Sequence, residues 1–171
     1  MNLRPLLEAD SRLSTALRVA EKPGVRRIFA AFLAHSGDSW FWGAGLVAAW
    51  WFGGQSWKAW AVRLLASIVA LAIVVMVIKL VVRRSRPAGE WGAIYRTTDP
   101  HSFPSGHAAR AALLATLVTA WGPPWLAPWL WLWAPLVALA RVAMGVHFLS
   151  DVLAGGLLGL IAAWIAVGLL H

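Results

Sequence analysis

The sequence predicts an all-α fold: a polytopic transmembrane helix bundle of about five spans, preceded by amphipathic helices on the membrane surface. Three observations carry this. Of the 171 residues 60% are hydrophobic and only 13% charged, where soluble domains carry roughly 25% charge. The apolar residues fall in long blocks, several near the ~17–25 residues that a bilayer requires. Thirteen tryptophans gather at block ends, as in the aromatic belt at a membrane–water boundary. The length suits one domain, with an interfacial part at 1–36 and a membrane part at 37–171.

Residues 2–22 place Leu3, Leu6, Leu7, Leu13, Leu17 and Val19 at roughly helical spacing among Arg4, Glu8, Asp10, Arg12, Arg18, Glu21 and Lys22. That pattern predicts an amphipathic surface helix, stopped by Pro23-Gly24. Residues 25–35 form a second helix, too short to span. The stretch lacks a signal-peptide apolar core, so the internal spans are expected to drive insertion. In His35-Ser36-Gly37-Asp38-Ser39 the candidates for function are His35 and Asp38, but the stretch reads first as a polar turn at headgroup level.

Five spans follow: Trp40 to Phe52, short and Gly-rich; Trp57 to Val82, long enough to tilt; Ser105 to Trp121; Trp125 to Met144; and His147 to Leu170. Trp50, Trp51, Trp57, Trp60, Trp121, Trp125 and Trp129 belong to one belt. Gly155 and Gly159, with Ala108, Ala111, Ala112 and Ala115, supply small surfaces for close helix contact. Five spans put the N-terminus, the 83–104 loop and the 142–147 turn on one face. The 53–57 turn, the Gly122-Pro123-Pro124 turn and the C-terminus lie on the other. Three polar clusters therefore converge at one membrane surface.

Fifteen Lys and Arg against seven Asp and Glu give a net charge of +8. The arginines sit beside apolar spans, without the aromatic interleaving of a nucleic-acid groove, and read as topology signals, lipid contacts or phosphate ligands. No nucleic acid is expected as a partner; the bilayer and a lipid phosphate are. Six basic residues (Arg4, Arg12, Arg18, Lys22, Arg26, Arg27) precede the first span on the polar-cluster face, against Lys58 and Arg63 opposite. The positive-inside rule then turns that face to the cytoplasm of a cell (inner or plasma) membrane. The absence of cysteine excludes disulfides, thiolate metal sites and a cysteine nucleophile.

The chemistry concentrates between residues 79 and 151. Phe103-Pro104-Ser105-Gly106-His107 opens a helix: Ser105 suits the N-cap, and Gly106 leaves the first N–H groups uncovered for an anion. His107 is placed to exchange a proton with whatever that site holds. Lys79 lies inside a span, a costly location that marks a functional candidate. Arg86 follows on nearly the same helical face and is held extended by Pro87, while Arg83 and Arg84 read as snorkelling to the headgroups. His147 and Asp151 stand four apart, so the carboxylate can orient the imidazole and free its other nitrogen as nucleophile or base. Arg141 closes the preceding helix and can reach the same mouth.

Three cations beside two imidazoles suit phosphoryl transfer. A phosphomonoester carries about −2 charge, and its transition state is stabilised mainly by positioning and charge. No carboxylate cluster is available to hold Mg²⁺, since only Glu90, Asp99 and Asp151 are near. No metal or cofactor is therefore expected.

Lys79-x6-Arg86-Pro87, Pro104-Ser105-Gly106-His107 and Arg141-x5-His147-x3-Asp151 resemble the three-part signature of the type-2 phosphatidic acid phosphatase superfamily. The resemblance implies a membrane lipid phosphatase, of the phosphatidylglycerophosphatase B kind, in which His147 attacks phosphorus to form a phosphohistidine. Asp151 would orient His147. His107 would protonate the leaving oxygen and then activate water. Lys79, Arg86, Ser105, Gly106 and Arg141 would hold the phosphoryl oxygens. Prenyl phosphates and pyrophosphates (undecaprenyl pyrophosphate among them), phosphatidylglycerol phosphate and phosphatidic acid all fit. One departure is Ala140, where the family usually has Ser, which removes a phosphate hydrogen bond worth about 1 kcal/mol. The rival readings are a lipid phosphotransferase with the same intermediate, a vanadium haloperoxidase-like enzyme and a non-catalytic membrane scaffold.

Overall fold

The computed structural model describes residues 4–170. Among these residues eight helices occur in chain order: α1 (Arg4–Ala16), α2 (Val25–Ser36), α3 (Ser39–Phe52), α4 (Gln55–Val82), α5 (Glu90–Arg96), α6 (Gly106–Trp121), α7 (Ala127–Ala143) and α8 (Leu149–Leu169). Among the described residues there is no strand, only an isolated antiparallel bridge between Ser85 and His101.

The bundle is arranged around α6, whose residues from Ala108 to Ala115, with Leu117 and Val118, are buried. Helices α4, α7 and α8 pack against it, and α3 lies along α4. The α6–α8 contact depends on glycine. A Cβ on Gly155 would lie 2.4 Å from the Ser105 carbonyl oxygen, and one on Gly159 2.0 Å from that of Ala109. Backbone therefore meets backbone there, as the small-residue spacing predicts.

Two helices, α4 and α8, are long and apolar enough to cross a membrane. The 28 residues of α4 extend about 42 Å, beyond the ~30 Å of a hydrocarbon core, which leaves room for tilt. Their outward side chains, among them Val69, Ile73, Val77, Leu153, Leu157, Ile161 and Ile165, are exposed hydrocarbon on a scale that water does not accommodate. The other predicted spans are shorter: α3 has 14 residues, α6 has 16 and α7 has 17. Helix α7 continues through Pro135.

The amphipathic segments depart from prediction. The first helix ends at Ala16, not at Pro23, because the chain turns to dock: the Ala20 N–H donates to the Ala143 carbonyl at the end of α7 (3.0 Å). Leu3 lies outside the described residues. Asp10 and Ser14 face inward, while Leu6, Leu7 and Leu13 are exposed. Phe29 and Phe32 of α2 are exposed in the same way. Polar side in and apolar side out is what an interfacial helix needs where it rests on a protein and faces lipid. Helix α5 lies within a segment predicted as loop. Arg27 fastens it to α2 with two bonds to the Glu90 carboxylate (2.9 and 3.1 Å) and stacks on Trp91.

Candidate active site

The C-terminal ends of α4 and α7 and the N-terminal ends of α3, α6 and α8 meet at one end of the bundle, away from Trp50, Trp51, Trp57, Trp60, Trp121, Trp125 and Trp129. Between them lies a cavity of about 300 Å³. Lys79, Arg86, Arg141, Gly106, His107 and His147 line its polar end, with Tyr95 and Asp99. Ser39, Thr98 and Arg110 border it too, and Ile68, Leu71, Ala72, Val75 and Met76 form its apolar side. The convergence predicted from span parity is therefore present in the fold.

Ser105 caps α6: its hydroxyl accepts from the Ala108 N–H at 3.4 Å, and its own N–H donates to the Asp151 carbonyl at 2.9 Å. It is fully buried beneath the helix start and is absent from the cavity wall, unlike Gly106 and His107.

The cations are partly committed before any substrate arrives. Lys79, buried in the last turn of α4, donates to the Asp99 carboxylate and to the His101 carbonyl (2.9 Å). Arg86 donates from Nε to the Asp99 carbonyl (2.7 Å) and from NH2 to its carboxylate (2.8 Å). Its NH1 reaches the Val146 carbonyl (2.9 Å) and His147 Nε2 (3.2 Å). Burial alone would raise the Asp99 carboxyl, but the bond from Lys79 and the charge of Arg86 outweigh it and hold the group below its ordinary range. Arg141 is 1% exposed, donates to the Tyr95 hydroxyl (3.1 Å) and lies 4.7 Å from the centre of that ring. Its Nε is buried with no hydrogen-bond partner among the described residues. A buried donor left unpaired is costly, and this one lies on the wall of an anion-sized space.

His147 precedes α8 rather than beginning it. Phe148 is the N-cap, and its N–H donates to Asp151 Oδ2 at 2.8 Å. His147 Nε2 faces an Arg86 donor, which places the ring proton on Nδ1. Nδ1 stands 3.5 Å from Asp151 Oδ2, inside ion-pair reach but too long for a good hydrogen bond.

Asp151 itself is off the cavity wall and fully buried, and its other oxygen accepts from Arg84 NH1 at 2.8 Å. Arg84 does not snorkel, contrary to the expectation from its position. It turns inward because two carboxylates draw it there: NH2 donates to Asp10 at 2.6 Å, and NH1 also bonds Ser150 Oγ at 2.6 Å. Asp10 in turn accepts from the Ser150 N–H (3.0 Å), and Ser14 Oγ from the Leu149 N–H (2.8 Å). Helix α1 thus supplies caps for the first turn of α8. Arg83 is exposed and, among the described residues, its side chain bonds its own helix at the Leu80 carbonyl.

Several residues at or around the site escaped sequence reasoning. Tyr95, the single tyrosine, lies within cation–π reach of both Arg86 and Arg141. Arg110 is a charge inside an apolar helix, one turn beyond His107, a signal of the kind that singled out Lys79. Asp38 lies against His107, not in a bystander turn: its Oδ1 is 2.7 Å from His107 Nε2.

The sequence signature of the PAP2 superfamily matches residues 60–171. The "Probable lipid phosphate phosphatase beta" of Arabidopsis thaliana is 28% identical over 196 residues, covering 98% of this chain and 91% of that protein. The decaprenylphosphoryl-5-phosphoribose phosphatase of Mycobacterium tuberculosis is 38% identical over 103 residues, covering 60% of this chain and 56% of that protein. Among solved structures, the transmembrane PAP2-type phosphatidylglycerolphosphate phosphatase of Bacillus subtilis superposes with a TM-score of 0.72 at 26% identity, covering 96% of this chain and 85% of that one.

Proposed function

On the premise that this chain belongs to the PAP2 superfamily and is a phosphatase at a membrane, we propose that it hydrolyses a lipid phosphate or pyrophosphate through a phosphohistidine on His147. The observation that carries the reading is the make-up of one cavity: four cations (Lys79, Arg86, Arg110 and Arg141) and two imidazoles on its polar side, and a wall of aliphatic side chains on the other. Such a space takes an anionic head and a hydrocarbon tail together, which free phosphate or a sugar phosphate does not exploit.

Lys79, Arg86, Arg141 and the N–H groups at the start of α6 hold the phosphoryl oxygens, Arg141 with the donor that has no protein partner. His147 Nε2 attacks phosphorus, and the bond from phosphorus to the leaving oxygen breaks as the nitrogen–phosphorus bond forms. His107 gives its proton to the leaving oxygen. Water then attacks while His107 takes a proton from it, the nitrogen–phosphorus bond breaks, and inorganic phosphate leaves. Each well-placed donor on the transition state contributes about 10²–10³-fold. Prenyl phosphates and pyrophosphates, phosphatidylglycerol phosphate and phosphatidic acid are the substrates to assay.

The mouth opens on the cytoplasmic face of a cell membrane crossed five times, with α1 and α2 on the same surface. A reporter fused after residue 171 that works only outside the cytoplasm supports that side and that parity; cytoplasmic activity overturns both. For the reaction, purified protein in detergent releases phosphate from these lipids with EDTA present. A labelled phosphoryl group is trapped on residue 147, and release is lost in His147→Ala, His107→Ala and Arg141→Ala. Full turnover by His147→Ala overturns the mechanism.

A further inference from the structure

We propose that Asp38 is the positioning residue for His107, fixing the tautomer and direction of the acid–base imidazole. The inference rests on the assignment of the proton-transfer role to His107. Three independent features of the 37–39 turn support it.

The first is the contact itself: Asp38 Oδ1 lies 2.7 Å from His107 Nε2, across 69 residues of sequence. An ionised carboxylate only accepts, so Nε2 carries a hydrogen and Nδ1 is the nitrogen left to serve the cavity that His107 lines. The second is the grip on the turn. Arg110, buried and one turn beyond His107 on the same helix, donates from Nε (2.9 Å) and NH2 (2.7 Å) to the Gly37 carbonyl, and from NH1 to the Ser39 hydroxyl. One helix therefore carries both the imidazole and the clamp that holds its carboxylate. The third is the fit. A Cβ on Gly37 would stand 3.3 Å from His107 Cδ2 and 3.0 Å from Val137 Cγ1, so any side chain there shifts the turn or the ring by a few tenths of an ångström, and glycine lets the turn lie flat on the ring. The second carboxylate oxygen is bonded by His35 Nδ1 (3.0 Å) and Trp40 Nε1 (3.3 Å).

The proton accounting is closed. The hydrogen on Nε2 stays with Asp38 throughout. The hydrogen on Nδ1 passes to the leaving oxygen as the ester bond breaks, and is replaced from water as the phosphohistidine is hydrolysed. Asp38 takes no proton; it makes the imidazolium present a single hydrogen to the substrate.

Steady-state and burst kinetics of the full chain in detergent, with a prenyl monophosphate and with p-nitrophenyl phosphate, test this. Nitrophenolate leaves without a proton; a prenyl alcohol does not. In Asp38→Asn, kcat on the prenyl ester falls on the order of tenfold to a hundredfold, with KM nearly unchanged. The nitrophenyl ester still gives a burst of one equivalent at close to the unmodified rate, followed by slowed turnover. Asp38→Glu recovers part of the loss, and His35→Ala, which removes no contact to His107, stays within about threefold. Gly37→Ala keeps every charge, pushes the turn off the ring and reproduces the split, which covers the case in which Asp38→Asn fails to fold. Equal losses in burst and prenyl turnover in folded protein, or no loss in either variant, overturn the inference. An active His107→Ala overturns the parent assignment instead; an inactive His107→Ala beside a fully active Asp38→Asn overturns this inference alone.

Discussion

The two imidazoles at the cavity are supported in opposite ways. His147 has its carboxylate four residues away, at 3.5 Å, and that carboxylate is shared with a helix cap and with Arg84. His107 has its carboxylate in another element, at 2.7 Å, in a turn gripped by Arg110. The near neighbour in sequence makes the looser contact and the distant one the tighter. Asp151 serves as a structural hub, tying α8, Arg84 and through it α1 together; the Asp38 carboxylate bonds side chains, two of them imidazoles. Sequence proximity is thus a poor guide to which carboxylate governs a histidine.

Substitutions separate the two supports, and the largest effect falls on the rings themselves. His147→Ala lowers turnover by about 10⁴-fold or more, as loss of a nucleophile does, and abolishes covalent labelling. His107→Ala also stops prenyl ester hydrolysis, yet accumulates the labelled intermediate from a nitrophenyl ester. Rapid-quench labelling distinguishes them, and identical behaviour would erase the contrast.

Next comes Asp151→Asn, which strips a buried carboxylate from Arg84. Breaking a buried pair costs about 3–5 kcal/mol, so denaturation in detergent shifts markedly and activity falls with it. Asp38→Asn, whose carboxylate is less enclosed, shifts stability less while splitting the kinetics. A larger loss of stability in Asp38→Asn would reverse the assigned division of labour. Arg84→Ala breaks the same pair from its other side and strands Asp10 as well, so its loss of stability matches that of Asp151→Asn. It detaches α1 from the first turn of α8, read as faster proteolysis within residues 4–16 and a several-fold loss of activity.

The smallest effect depends on pH. Burial acts to raise the Asp10 carboxyl, but bonds from Ser150 and Arg84 outweigh it and leave the group below its ordinary value. A folded-state value below the unfolded one contributes stability that is present above about pH 4 and lost as pH falls through the folded value. Melting temperature in detergent therefore declines on the acid side, and Asp10→Asn flattens that limb.

The contrast also explains what was legible in the sequence. Lys79, Arg86, Gly106, His107, Arg141 and His147 were named from motifs whose spacing is local, and the fold brings them to one cavity. Long apolar blocks and the Gly155–Gly159 pair forecast the helices and their closest contact. Partners set by tertiary folding stayed hidden. Local spacing makes Arg84 a headgroup contact, since its two carboxylates come from α1 and α8. Local sequence favours a turn at Asp38 over a functional role because its histidine lies 69 residues on. The end of α1 at Ala16 is decided by docking on α7, which no local periodicity records. Helix α5 has only seven residues, too few for a periodic signal.

The glycine seam between α6 and α8 has a further consequence. At Gly155 and Gly159 the two helices beside the histidines meet main chain to main chain, so no rotamer change at that seam widens the gap between them. The enzyme has a fixed gauge along that axis. Any adaptation to a bulkier leaving group falls to the opposite rim, where Tyr95 and Asp99 sit on the short helix α5 and the loop after it.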